Sequence, residues 1–274
     1  MQPELSIPTS YALPQRSATR RVSRWAHGSV PLASVVVLLG AWWAVTAQPW
    51  FGPRAVLSSF TPQATFPVFV QLLSQGVLIE QGWISIRRVL LALALASIVG
   101  VTLGLALGSS RLAERTVAPA LHVVRTVSPL SWMPLVIMLL GIGDLAVIFL
   151  IAIAAVWPVL FSTLGGLHQL DREWVMMARS VGAKRHQILF HVAIPAVLPQ
   201  IVNGMRVAVG LAWVVLVPAE MLGVTSGLGY WLLNTRDRLA YSELMAVILA
   251  IGLIGLALDT AIRALALLLP GARR

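Results

Sequence analysis

Cysteine is absent from all 274 residues, and lysine occurs once, at Lys184. The first absence excludes disulfides, thiolate catalysis and cysteine-ligated metal sites. Charge is scarce too. Only 11 % of residues are Asp, Glu, Lys or Arg and 58 % are hydrophobic, which is too apolar for a soluble domain and too long for a single anchor. Missing as well is the alternation of apolar and polar residues, in segments of about ten, that a transmembrane barrel needs. In its place stand uncharged runs over 27–53, 89–110, 126–143 and 145–170. Two more, 196–219 and 239–258, are broken only by Arg206 and by Glu243. Each is near or above the roughly 20 residues that cross a bilayer as a helix. Helices then remain as the way to satisfy the backbone in lipid. The fold class is all-α and the protein is a polytopic membrane protein.

The pattern predicts six spans, over 31–50, 86–108, 118–140, 144–164, 196–222 and 243–267. With the amino terminus in the cytoplasm, thirteen cations fall inside and five (Arg54, Arg87, Arg88, Arg236 and Arg238) fall outside. That bias places both termini in the cytoplasm, and the net charge of +10 reads as orientation rather than nucleic-acid binding. Residues 1–28 form a basic tail held to anionic lipid, expected to be disordered. Residues 29–85 supply the first span and an outer loop with an amphipathic helix near 66–79. Residues 86–270 form the membrane core. The first span reads as a retained anchor, with Trp42, Trp43 and Trp50 at its outer end, or as a cleaved signal.

Within the cytoplasmic loop 165–195, Asp171 is an N-cap candidate and Glu173 suits the first turn of a helix. Trp174, Met177, Ala178 and Val181 follow at i, i+3, i+4 and i+7, one apolar stripe on about three turns, with Gly182 as the C-cap. A second short helix is expected over 184–192, with Pro195 opening the next span. A helix so short must bury its stripe. It packs on the membrane surface and the protein's own helix ends, or it docks on a partner through Trp174 and Met177.

Arg125, Arg206, Glu220 and Asp259 are the ionisable residues that the expected spans bury or half bury, and each needs a partner or water. Asp259 and Arg263, four apart, suit a local pair. Arg206 calls for Glu220 of a neighbouring subunit, a carbonyl exposed by a proline, or an anion in transit. Arg125 stands before Pro129 and Pro134, which are expected to break the third span. Arg206, Arg125 and Glu220 are therefore the substrate-pathway candidates, Glu220 as a gate or interface residue. The five histidines, His27, His122, His168, His186 and His191, include no H-E-x-x-H. They give no metal site, and no catalytic residue or cofactor is implied.

The spacing Ala178, Gly182, nine residues and then Val192-Ala193-Ile194-Pro195 resembles the cytoplasmic "EAA" signature, E-A-A-x3-G-x9-I-x-L-P, of permease subunits in ABC importers. Met176-Met177 stand where Glu-Ala is typical. "VVRTVSPLSWMPLVIMLLGIGD", "GMRVAVGLAWVVLVPAEMLGVTSGLGY" and "ISIRRVLLALALASIVGVTLGLALG" look like the matching segments of the nitrate/sulfonate/taurine branch, over roughly 85–270. The resemblance implies a type I importer permease in a bacterial inner membrane, working as a dimer, most simply a homodimer. It implies docking of ATP-binding cassette subunits on Trp174, Met177, Ala178, Val181 and Gly182, rimmed by Lys184 and Arg185 and followed by Pro195. A periplasmic or lipid-anchored binding protein would deliver a sulfonate, taurine or nitrate. Bicarbonate, a thiamine-precursor pyrimidine and an aromatic carboxylate stay open as cargo.

A P-loop needs G-x4-G-K-[ST], and Lys184 sits between Ala183 and Arg185. The chain therefore supplies no Walker A site; if transport is ATP-driven, the ATPase is another chain and this one is expected to be a non-catalytic subunit. An ion-coupled secondary transporter is the competing class; it calls for related halves and a midplane carboxylate, and no internal repeat is visible.

Overall fold

In the computed structural model, residues 26–47 and 58–268 are described, and all their regular structure is helical. The expected tail over 1–28 lies outside them except for its last three positions. The helices are α1 (Ala26–Ala47), α2 (Pro62–Ser74), α3 (Val77–Gly108), α4 (Arg111–Thr126), α5 (Met133–Leu140), α6 (Asp144–His168), α7 (Arg172–Ser180), α8 (Arg185–Gly223), α9 (Leu228–Asp237) and α10 (Tyr241–Leu268). Of these, α3, α6, α8 and α10 are long and apolar enough to cross a membrane, and α4 with α5 makes a fifth, bent span. With α1, which carries the apolar stretch Ala33–Ala47, the helices match the expected six in number.

Helix α6 is the centre of the bundle, with Ala146, Val147, Leu150, Ile151, Ala155 and Val159 fully buried. Its neighbours come close because they present small residues. A Cβ placed on Gly100 of α3 would lie 2.9 Å from the Val159 Cβ, and one on Gly104 would lie 2.7 Å from the Thr163 Cβ. On a second stripe of α6, a Cβ on Gly204 of α8 would lie 2.8 Å from the Pro158 carbonyl oxygen. Lipid is as apolar as the helix surface, so such close packing is what holds membrane helices together. Gly104→Val should therefore force α3 away from α6. Overpacking of this kind costs about 1–3 kcal/mol, to be read as a lowered unfolding midpoint in detergent; an unchanged midpoint would mean that the contact carries no weight.

Three expectations change, and the break expected in the span 118–140 is found. The helix near 66–79 is Pro62–Ser74, and the next one begins at Val77, nine residues before the expected start at 86, because Gly76 adopts φ 78° and restarts the chain. Helix α3 therefore runs through the boundary expected at 85/86. The span 118–140 is two helices meeting at 86°. Val127 and Ser128 are extended ahead of Pro129, where a residue before proline avoids the helical region. Finally, Pro195 does not open a span. Helix α8 starts at Arg185 and passes through a π-helical turn, Leu189–Ala193, in which the Ile194 N–H donates to the Leu189 carbonyl. This wider turn accommodates a proline that lacks its own N–H and crowds the carbonyl four residues back.

Candidate functional site

Two regions concentrate functional side chains, one at each end of the bundle. In the first, α7 is started by Asp171, whose Oδ1 accepts from the Glu173 N–H at 2.9 Å. It is stopped by Gly182 at φ 83°. There the Gly182 N–H donates to the Arg179 carbonyl (2.9 Å) and the Ala183 N–H to the Ala178 carbonyl (3.0 Å), the paired closure of a Schellman motif. The Lys184 N–H then donates to Gln187 Oε1 at 2.8 Å, which sets the first turn of α8.

The apolar stripe on α7 is uncovered. Trp174 is 53 % exposed, Met177 61 % and Val181 84 %. Val175 and Met176, the latter 59 % exposed, line with Gly108, Leu167 and His168 a groove of about 750 Å³. Ala178, Gly182 and Ala183 line a second hollow, of about 440 Å³, against Ile188 and His191. Lys184 and Arg185 stand exposed at the rim, and Pro195 is exposed on α8.

Arg88 organises the second region. It is 1 % exposed and directs all five of its N–H groups to acceptors. Nη1 donates to Glu220 Oε1 (2.7 Å) and to the Ser226 carbonyl (2.7 Å). Nη2 donates to Asp144 Oδ1 (2.6 Å) and Ser226 Oγ (2.9 Å), and Nε donates to the same Asp144 oxygen (3.0 Å). Glu220, fully buried, also accepts from Ser85 Oγ and from the Gly229 N–H, each at 2.9 Å. Asp144 Oδ2 takes Arg87 at 2.6 Å. Gly227, at φ 100°, lies so close that a Cβ there would sit 2.6 Å from Arg88 Nη1. Four segments, α3, α6, α8 and the turn before α9, are thus tied at one buried point.

The pathway candidates are not brought together. Glu220 is fully buried within its own subunit and bonded to Arg88. Arg206 is exposed on α8 and makes no hydrogen bond or ion pair among the described residues. Arg125 lies over the Phe161 ring, 5.0 Å from its centroid. Asp259 and Arg263 form the expected local pair at 2.7 Å.

Residues 96–272 match the family model of the binding-protein-dependent transport system inner membrane component. This chain belongs to that family. Among curated relatives of this permease is the taurine transport system permease protein TauC of Escherichia coli, 32 % identical over 242 residues, which span 86 % of the chain and 87 % of the relative. The nitrate import permease protein NrtB of a Synechocystis species is 30 % identical over 84 % of both proteins. The bicarbonate transport system permease protein CmpB of Synechococcus elongatus is 30 % identical over 84 % of this chain and 85 % of its own. A solved structure of the inward-facing MetNI methionine ABC transporter shares the fold, with a TM-score of 0.55 at 20 % identity, covering 71 % of this permease and 96 % of that chain.

The permease is thus a multi-pass membrane protein and a transport component. Its Arg88 cluster escaped sequence reasoning, which counted Arg87 and Arg88 as outer-loop cations. Arg88 lies 56 residues from Asp144 and 132 from Glu220, distances that no local pattern bridges. The available signal was compositional: a glutamate in the apolar run "PAEMLG" demands a buried cation, and an arginine pair inside a span offers one.

Proposed function

We propose that the permease carries a small oxyanion of the sulfonate, taurine or nitrate class inward, as a homodimer driven by separate ATP-binding cassette subunits. A periplasmic or lipid-anchored binding protein supplies the cargo, and both termini face the cytoplasm, as the arginine distribution favours. The observation that carries the reading is the uncovered stripe Trp174, Met177 and Val181 on a helix too short to stand alone in water. A groove on an ATPase subunit would cover it, with Lys184 and Arg185 at the rim. Gly182 would turn the docked helix into α8, so that ATP-driven closure moves a span 39 residues long. Residues 86–270 serve as the translocating core, and Arg206 and Arg125 face the pathway. The cargo class is supported by the names of the relatives, which transport taurine and nitrate. Bicarbonate is the second reading, favoured by the relative that transports it.

Reconstitution with an ATP-binding cassette subunit and a binding protein tests this. ATP should drive uptake of one among nitrate, taurine and bicarbonate, and uptake by the permease alone under an ion gradient would overturn the reading. In the same system Trp174→Ala should weaken ATPase association. A buried aromatic anchor at an interface contributes about 2 kcal/mol or more, so co-purification should fall about tenfold or further; equal recovery would remove Trp174 from the contact.

A further inference from the structure

The bent span carries an arginine, Arg125, that has no counter-ion among the described residues. Six of the nine described carboxylates are bonded to cations: Asp144 and Glu220 to Arg88, Glu114 to His168, Asp237 to Arg236, Glu243 to Arg238 and Asp259 to Arg263. Of the other three, Asp171 and Glu173 belong to the cytoplasmic α7, and Glu80 sits in the first turn of α3 at its outer end. Arg125 stands fourteen residues along α4, about 20 Å from its start at the rise of a helix. A second copy of the chain brings the same commitments and so offers no carboxylate there. An exposed cation within a span faces a water-filled space or the bundle interior rather than lipid, and an unpaired one there waits for a mobile anion.

The surroundings of Arg125 aim it. Its guanidinium carbon lies over the Phe161 ring of α6, 5.0 Å from the centroid. His122, one turn earlier on α4, stacks on the same ring with centroids 4.6 Å apart and planes 21° apart, and Trp157 stacks behind it at 6.4 Å and 25°. An arginine held by its face keeps the in-plane N–H groups of its edge available, and that edge matches two oxygens of a planar or tetrahedral oxyanion. Nothing among the described residues occupies those donors.

We propose that Arg125 binds the transported oxyanion in passage, with Phe161 as the positioning residue that holds its edge toward the pathway and His122 beside it. This rests on the import reading above and narrows it: the cargo presents a nitrate-, sulfonate- or carbonate-like group, and a neutral pyrimidine has no reason to stop there.

The test uses the complete transporter in proteoliposomes, with nitrate, taurine and bicarbonate as probes and saturating binding protein. Whichever probe the wild type carries should be taken up about tenfold more slowly by Arg125→Lys, which keeps the charge and loses the fork, and more slowly still by Arg125→Gln. Phe161→Leu should fall with them, and Phe161→Tyr, which restores a ring under the guanidinium, should recover uptake. Arg125→Lys serves as the deciding variant if Arg125→Gln fails to assemble. Uptake within about twofold of wild type in Arg125→Lys would overturn the site and leave the import reading standing. A wild-type complex that carries none of the three probes would overturn both.

Discussion

Gly182→Val is expected to leave ATP hydrolysis running while uptake falls by tenfold or more. Residue 182 holds φ 83°, and a Cβ there would meet nothing within 4 Å. The whole effect of substitution is therefore in the backbone. A left-handed conformation costs an ordinary residue roughly 1–2 kcal/mol, and a β-branched one suffers most. The chain relieves that strain by giving up the bonds from Gly182 and Ala183 to Arg179 and Ala178, so α7 no longer leaves the loop at a fixed angle to α8. A docked ATPase would still close, but its motion would be lost in the joint. Asparagine tolerates this conformation and alanine is intermediate. Uptake per ATP should thus fall in the order Gly, Asn, Ala, Val, measured in proteoliposomes. Equal coupling in all four would remove Gly182 from the mechanism.

Arg88→Leu is expected to give the largest loss of stability. Removing one member of a buried charge cluster costs about 3–5 kcal/mol because the partners remain uncompensated. Here two carboxylates, Asp144 and Glu220, would face each other without the guanidinium, and Ser226 would lose both of its bonds to it. A sharply lowered unfolding midpoint in detergent, or no recoverable protein, is the expected result. Arg88→Leu combined with Glu220→Leu and Asp144→Asn should recover part of the loss, since apolar side chains can replace a buried ion pair. A single Arg88→Leu variant as stable as wild type would show that the cluster does not hold α3, α6 and α8 together.

What could be read from the sequence divides along a physical line. The spans were legible because a run of some twenty apolar residues has few other fates. Cap chemistry is local, which is why Asp171 and Gly182 bounded α7 before any coordinates. Pro129 announced the break between α4 and α5. Pro195 misled for the opposite reason: proline favours the first turn of a helix, and only the π turn at Leu189–Ala193 lets α8 run on through it. The start of α3 was missed because Trp83, Ile84 and Ile86 are interleaved with polar residues, so hydropathy rises only after Arg88. The Arg88 cluster depends on three helices meeting, and Glu220, one of three partners open to Arg206, is bonded to Arg88 instead. Single residues inside spans showed that they needed partners, yet identifying the partner required the fold.

The permease contains no cysteine, so one introduced at Met177 is a unique chemical handle on the exposed face of α7. Its modification by a water-soluble maleimide, measured with and without an ATP-binding cassette subunit bound, tests the docking of that face most directly. Strong protection of Met177→Cys from labelling in the complex is the predicted result. Labelling at the same rate in the free permease and in an actively transporting complex would contradict it.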